Sequence, residues 1–133
     1  MFTKILAAID GKDSSMKALI EAKRMAVSNH GTIRIVYVAT EETDPKASLK
    51  LLTQAKSTLG DGVTVDTRVL HTESVYGVTG IVDALANGTR EWGADLVVLG
   101  SSHRRALERW VIGSVAEQLI SKIDASVLVV RSQ

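Results

Sequence analysis

Apolar runs of strand length alternate along this chain with segments whose apolar residues recur at helical spacing. Ile5 to Ile9 is the first run and stops at Asp10-Gly11, a strand followed by a turn. Ala18, Leu19, Ala22, Met25 and Ala26 then share one face of a predicted helix. Ser14 or Ser15 is its candidate cap, and Asn29-His30-Gly31 its stop. Ile33 to Val38 is a β-branched and aromatic second strand. A polar stretch with Pro45 leads to a second helix, with Leu51, Leu52, Ala55 and Leu59 on one face and Gly60-Asp61-Gly62 at its end. From Val63 to Leu70 the pattern alternates: Val63, Val65, Thr67 and Val69 point one way, Thr64, Asp66 and Arg68 the other, as on a half-buried edge strand. Val78, Ile81, Val82, Leu85 and Ala86 mark a third helix that ends at Trp92-Gly93. Leu96 to Leu99 is a fully apolar strand. Ser114 to Ile123 is a fourth helix, with Ser114 and Glu117 at capping-box spacing, and Val127 to Val130 is the last strand.

Strand and helix therefore alternate from end to end. That order predicts a doubly wound α/β fold, an open parallel sheet with helices on both faces, because crossover connections are right-handed. The 133 residues suffice for one domain, and no repeat, linker or low-complexity segment divides them. Sixteen Lys and Arg against fifteen Asp and Glu leave no basic field for a nucleic acid. The absence of cysteine excludes a disulfide framework and thiolate catalysis, and agrees with a reducing compartment. The opening apolar run is too short for a signal peptide, and no run approaches the roughly 18 apolar residues of a membrane span. A cytoplasmic location without membrane insertion is expected.

Open α/β sheets bind ligands beyond the carboxyl ends of their strands, where strand order reverses. The first strand ends at Asp10 and the fourth at Gly100. The connection from Ser101 to Ile112 is long beside the roughly two to six residues usual there. It carries Arg104, Arg105 and Arg109 and leads to Gly113-Ser114 at a predicted helix start. Glycine, arginine and a helix N-terminus together form a candidate cradle for an anion such as phosphate. The bland alternative is a solvated loop whose arginines confer solubility. Asp10 and Asp13 read better as turn and cap than as a metal pair, so no metal site is expected. His30 and His71 are isolated, and Trp92 is read as packing. No nucleophile elbow or Walker loop is present, and no catalytic residue is assigned.

Three segments carry a resemblance. Gly100 is followed, after His103, by nine residues from Arg104 to Ile112, then by Gly113-Ser114-Val115-Ala116-Glu117. The chain closes on Val127-Leu128-Val129-Val130 and opens on Ile5-Leu6-Ala7-Ala8-Ile9-Asp10-Gly11. Over nearly its whole length it resembles the universal stress proteins, whose signature is G-x-x-G, nine residues, then G-S or G-T. The resemblance implies strand order 3-2-1-4-5 and a site for ATP, or for ADP or AMP, with or without Mg2+. Ala8, Ile9 and Asp10 would border the adenosine, and Val38 the adenine edge. Leu99 and Gly100 would line the ribose and phosphate region, and Gly113, Ser114 and Val115 would offer amides and a hydroxyl to the phosphates. The second glycine of the signature is His103 here. With Arg104 beside it, His103 would either hydrogen-bond a phosphate or close the site. Closure would leave the alternative function, a dimeric scaffold for an unknown protein partner. The implied order puts Val127, Val129 and Val130 on an edge strand, where pairing with a second copy would cover them, so a homodimer is expected.

Overall fold

The computed structural model describes residues 1–102 and 114–132. Its strands are β1 (Lys4–Ala8), β2 (Thr32–Ala39), β3 (Thr64–His71), β4 (Leu96–Ser102) and β5 (Ser126–Ser132). Its helices are α1 (Asp13–Asn29), α2 (Pro45–Leu59), α3 (Gly77–Trp92) and α4 (Ser114–Ile120), with a short 3-10 turn at Ser74–Tyr76. The strands form one sheet in the order β3-β2-β1-β4-β5, every neighbouring pair parallel. This is the expected doubly wound order.

Two apolar layers hold the sheet. On one face Ile5, Ala7, Ile33 and Ile35 meet Ala18, Leu19, Ala22 and Ala26 of α1 and Leu52, Ala55 and Leu59 of α2. On the other, Leu6, Val36, Val97 and Leu99 meet Val82, Leu85 and Ala86 of α3 and Ala116 and Leu119 of α4. The alternation of Leu6 and Ala7, or Val97 and Val98, between layers is the period-two geometry of a strand buried on both sides. β3 keeps the predicted half-exposed alternation, with Thr64, Asp66 and Arg68 outward. Across β1, β2 and β3, Leu6, Arg34 and Asp66 stand in register. Arg34 makes two bonds to the Asp66 carboxylate, at 2.9 and 3.0 Å, and its guanidinium lies 4.7 Å from the centre of the Trp92 ring, so Trp92 packs as expected.

Several boundaries differ from those the sequence predicts. Neither Ser14 nor Ser15 caps α1. Lys12 is its N-cap, in extended conformation, and no side chain bonds the cap. The helix stops because His30 turns left-handed, at φ 56°, rather than Gly31. β4 runs on through Ser101 and Ser102, because both pair with β5, out to Ser132. The connection to α4 is correspondingly shorter than predicted. α4 stops at Ile120, three residues before Ile123.

Candidate functional site

A cavity of about 490 Å³ opens beyond the carboxyl ends of β1, β2 and β4. Its place follows from the winding. β1 sits between β2 and β4, and the helices that leave β1 and β4 go to opposite faces, so the chain parts above them. Ala8, Ile9 and Asp10 reach it from β1, and Tyr37 and Val38 from β2. Leu99, Gly100 and Ser101 reach it from β4, and Ser114, Val115 and Ala116 from the start of α4. Thus Ala8, Ile9, Asp10, Val38, Leu99, Gly100, Ser114 and Val115, drawn from four separate segments, line one space. His103, Arg104 and Gly113 lie outside the described residues, as do Arg105 and Arg109 and the side chain of Asp13.

The cavity also has walls that sequence patterns do not single out. Ile81 and Leu85 come from α3, where their spacing reads as an ordinary core face. Lys12, Ser14 and Ser15 come from the entry to α1. The floor is apolar: Leu85 is 1% exposed, Ala116 4%, and Ile9 and Leu99 6% each. The rim carries hydroxyls from Ser14, Ser15, Tyr37, Ser101 and Ser114, with Asp10 and Lys12 as its charged groups among the described residues.

The Asp10 turn is tightly specified. The Lys12 amide donates to Asp10 Oδ1 at 2.9 Å. The Asp10 amide donates to Ser15 Oγ at 3.3 Å, and Ser15 Oγ donates in turn to the Lys12 carbonyl at 2.9 Å. Just before it, the Ile9 amide continues the ladder to the Val36 carbonyl at 2.9 Å. The hydroxyl of Ser15 is thereby spent on holding the turn, and the Asp10 carboxylate is aimed by its own backbone, as Asx turns do.

Gly100 is needed for a steric reason. A Cβ placed on it would fall 2.7 Å from the Ser15 amide nitrogen and closer still to the Ser14 carbonyl group. The first turn of α1 therefore lies directly on the β4 backbone, which only glycine permits.

Beside the cavity, the connections that follow β2 and β3 are tied together. The Ser74 amide donates to Glu41 Oε1 at 2.9 Å, and the Ser74 hydroxyl donates to Glu41 Oε2. The hydroxyl first, then the amide, holds the Glu41 carboxyl below the usual range. Among the described residues no cluster of three His, Asp or Glu offers a metal site.

Known proteins agree with this architecture. The model of the universal stress protein family matches residues 1–131. Universal stress protein YxiE of Bacillus subtilis is 27% identical, with 98% of this chain and all of that protein covered. A universal stress protein family structure from Burkholderia pseudomallei is 26% identical and superposes with a TM-score of 0.76 over 98% of this chain and 97% of that one. The universal stress protein of Archaeoglobus fulgidus, solved in complex with dAMP, has the same fold at 19% identity, with a TM-score of 0.71 over 98% of both chains. No described helix is long and apolar enough to cross a membrane. With the order β3-β2-β1-β4-β5 and a family match across residues 1–131, the chain belongs to the universal stress protein family.

Proposed function

We propose that the cavity binds an adenine nucleotide, ATP or its di- or monophosphate, and that the protein is a stress-response or regulatory module rather than a fast enzyme. The observation that carries this reading is the convergence of Ala8–Asp10, Val38, Leu99–Gly100 and Ser114–Val115 on one cavity. Its volume lies within the roughly 300–1,000 Å³ typical of small-molecule sites. Its apolar floor suits a flat base, and its hydroxyl rim suits a sugar and phosphates. Val38 borders the base, Asp10 faces the nucleoside, and the amides and hydroxyl of Gly113, Ser114 and Val115 take the phosphates, with His103 and Arg104 beside them. Bound Mg2+ would be held mainly by phosphate oxygens and water, since no carboxylate cluster is described here. The neighbour from Archaeoglobus fulgidus supports the class of ligand, through the dAMP it holds.

Hydrolysis by this module is expected to be slow. A homodimer formed through β5, in the cytoplasm, completes the reading. β5 is a sheet edge, and Val127, Val129 and Val130 on it are only partly buried.

The test is calorimetric titration of ATP, with and without Mg2+, into the protein and into the Gly113→Val variant. Binding by the parent with loss in the variant supports the site. Equal affinity in both removes Gly113 from it. The absence of binding by the parent favours the protein-interaction scaffold, with His103 closing the site.

A further inference from the structure

The near-neutral net charge of the chain conceals one basic face. α1 and α2 pack into the same core layer, and Lys23 Nζ of α1 donates to the Leu59 carbonyl of α2. Together these two helices hold Lys17, Lys23, Arg24, Lys46, Lys50 and Lys56 against Asp13 and Glu21. On the opposite face of the sheet, α3 and α4 hold Arg90 against Asp83, Glu91 and Glu117.

The basic side chains stand in order. Lys17, Ile20, Arg24 and Val27 recur at three- and four-residue intervals along α1, and all four are exposed. The same spacing along α2 gives Lys46, Leu49, Thr53 and Lys56, with Lys50 beside them, again all exposed. Arg24 is paired with Glu21, as Arg34 is with Asp66 and Lys122 with Asp83. The ammonium groups of Lys17, Lys46, Lys50 and Lys56 have no hydrogen bond or ion pair among the described residues. The result is a sheet-backed layer of unneutralised lysines with aliphatic side chains between them.

This composition selects the partner. The centre of a protein interface is poor in lysine and rich in aromatic residues, and α1 and α2 contain no aromatic residue. Nucleic acids are gripped by arginine forks and stacking rings, and Arg24, the one arginine here, is tied to Glu21. A bilayer with anionic headgroups presents a plane of negative charge that needs no matching slot. Lysine stems let the ammonium groups reach it, and scattered aliphatics suit the headgroup level. We propose that the α1–α2 face docks on an anionic lipid surface, held by Lys17, Lys46, Lys50 and Lys56, with Ile20 and Leu49 among the headgroups. The contact is peripheral, without insertion. It is independent of the nucleotide reading, since none of these residues lines the cavity.

The experiment is co-sedimentation of the full chain with vesicles of phosphatidylcholine alone, and of phosphatidylcholine with an equal share of phosphatidylglycerol, at low and high salt. Binding is expected only to the vesicles with phosphatidylglycerol, and salt is expected to release it, because exposed charges are screened. Lys17→Gln, Lys46→Gln and Lys50→Gln are each expected to weaken it about fivefold, and the three together about a hundredfold. Arg68→Gln removes the same charge from β3. Val65 and Val69 pack toward the α1–α2 layer, so Arg68 between them points to the other side of the sheet. Its loss is expected to weaken binding about twofold or less. No binding of the parent to phosphatidylglycerol vesicles at low salt would overturn the inference, and so would equal binding to phosphatidylcholine alone. Both outcomes are read on the parent and require no variant to fold. An equal loss in Arg68→Gln would overturn it too, by showing attraction to the whole molecule rather than to this face. Tighter binding, at the same salt, to a DNA duplex or to polyglutamate would overturn it in favour of a nucleic acid or an acidic protein.

Discussion

Gly100 of β4 carries the backbone of Ser14 directly against it: a Cβ there would lie 2.7 Å from the neighbouring Ser15 amide and closer to the Ser14 carbonyl. This contact joins the two halves of the cavity. It seats the first turn of α1 on the strand that, on its other side, feeds α4. The first glycine of the family signature is thereby explained in this chain by packing, independently of any ligand.

Gly100→Ala should therefore damage both fold and site. Neither partner is a flexible side chain that can swing away, so strand or helix must shift, at a cost of about 1–3 kcal/mol. The melting temperature should fall by several degrees, and nucleotide affinity should fall with it, because Ser14, Lys12 and Asp10 move together. A melting temperature and affinity matching the parent would show that the two backbones separate freely.

Asp95 makes the opposite end of the sheet sensitive to acid. It accepts from the Thr3 amide at 3.0 Å, the Lys4 amide at 3.1 Å and the Thr3 hydroxyl at 3.4 Å. Partial burial opposes its charge, but the Thr3 and Lys4 amides outweigh that and hold its carboxyl below the ordinary value. A carboxyl depressed in the fold stabilises it above the unfolded-state pKa of about 3.9, and that stabilisation is lost as pH falls through the lower folded value. Asp95→Asn should cost about 1–2 kcal/mol at pH 7, and the gap should close in strong acid. Denaturant titrations of both proteins from pH 7 down to pH 2 would show it. A gap that stays constant with pH would contradict the role of the charge.

The Arg34 stack should be worth more than its charge. Its fork binds Asp66 while its plane lies over Trp92, and the side chain is only 16% exposed. Arg34→Lys keeps the charge but not the planar fork or the stack, and should cost about 1 kcal/mol. Since Asp66 is 52% exposed, the ion pair itself contributes little of this. Identical unfolding midpoints for parent and variant would remove the stack from the account.

The edge of β5 should mediate self-association. A lysine at Val129 should shift the protein toward monomer in light scattering, because a charge would stand in the paired seam. An unchanged mass would place the dimer contact elsewhere, or show that none forms there.

Much of this was legible in the chain, for identifiable reasons. Ala18, Leu19, Ala22 and Ala26, spaced for one helical face, are all at most 1% exposed, because burial enforces the helical period directly. Alternation from Val63 to Leu70 revealed an edge strand for the same reason. The cavity was legible as topology: Asp10 and Gly100 end neighbouring strands whose helices diverge. What escaped depended on contacts distant in sequence. Ser14 and Ser15 look like caps, and only the fold shows one bonded to the Asp10 turn and the other facing the cavity. Ile81 and Leu85 are indistinguishable in pattern from any core residues of α3. Ser101 and Ser102 read as loop because polarity hides a strand whose partner, Arg131-Ser132, lies thirty residues away.

The measurement closest to the central claim is mass spectrometry of small molecules released when the freshly purified protein is denatured, paired with calorimetry of ATP binding to the stripped protein. The account predicts a co-purifying adenine nucleotide, or a micromolar dissociation constant, roughly −8 kcal/mol. No released nucleotide and no binding heat would contradict it and turn attention to the β5 surface.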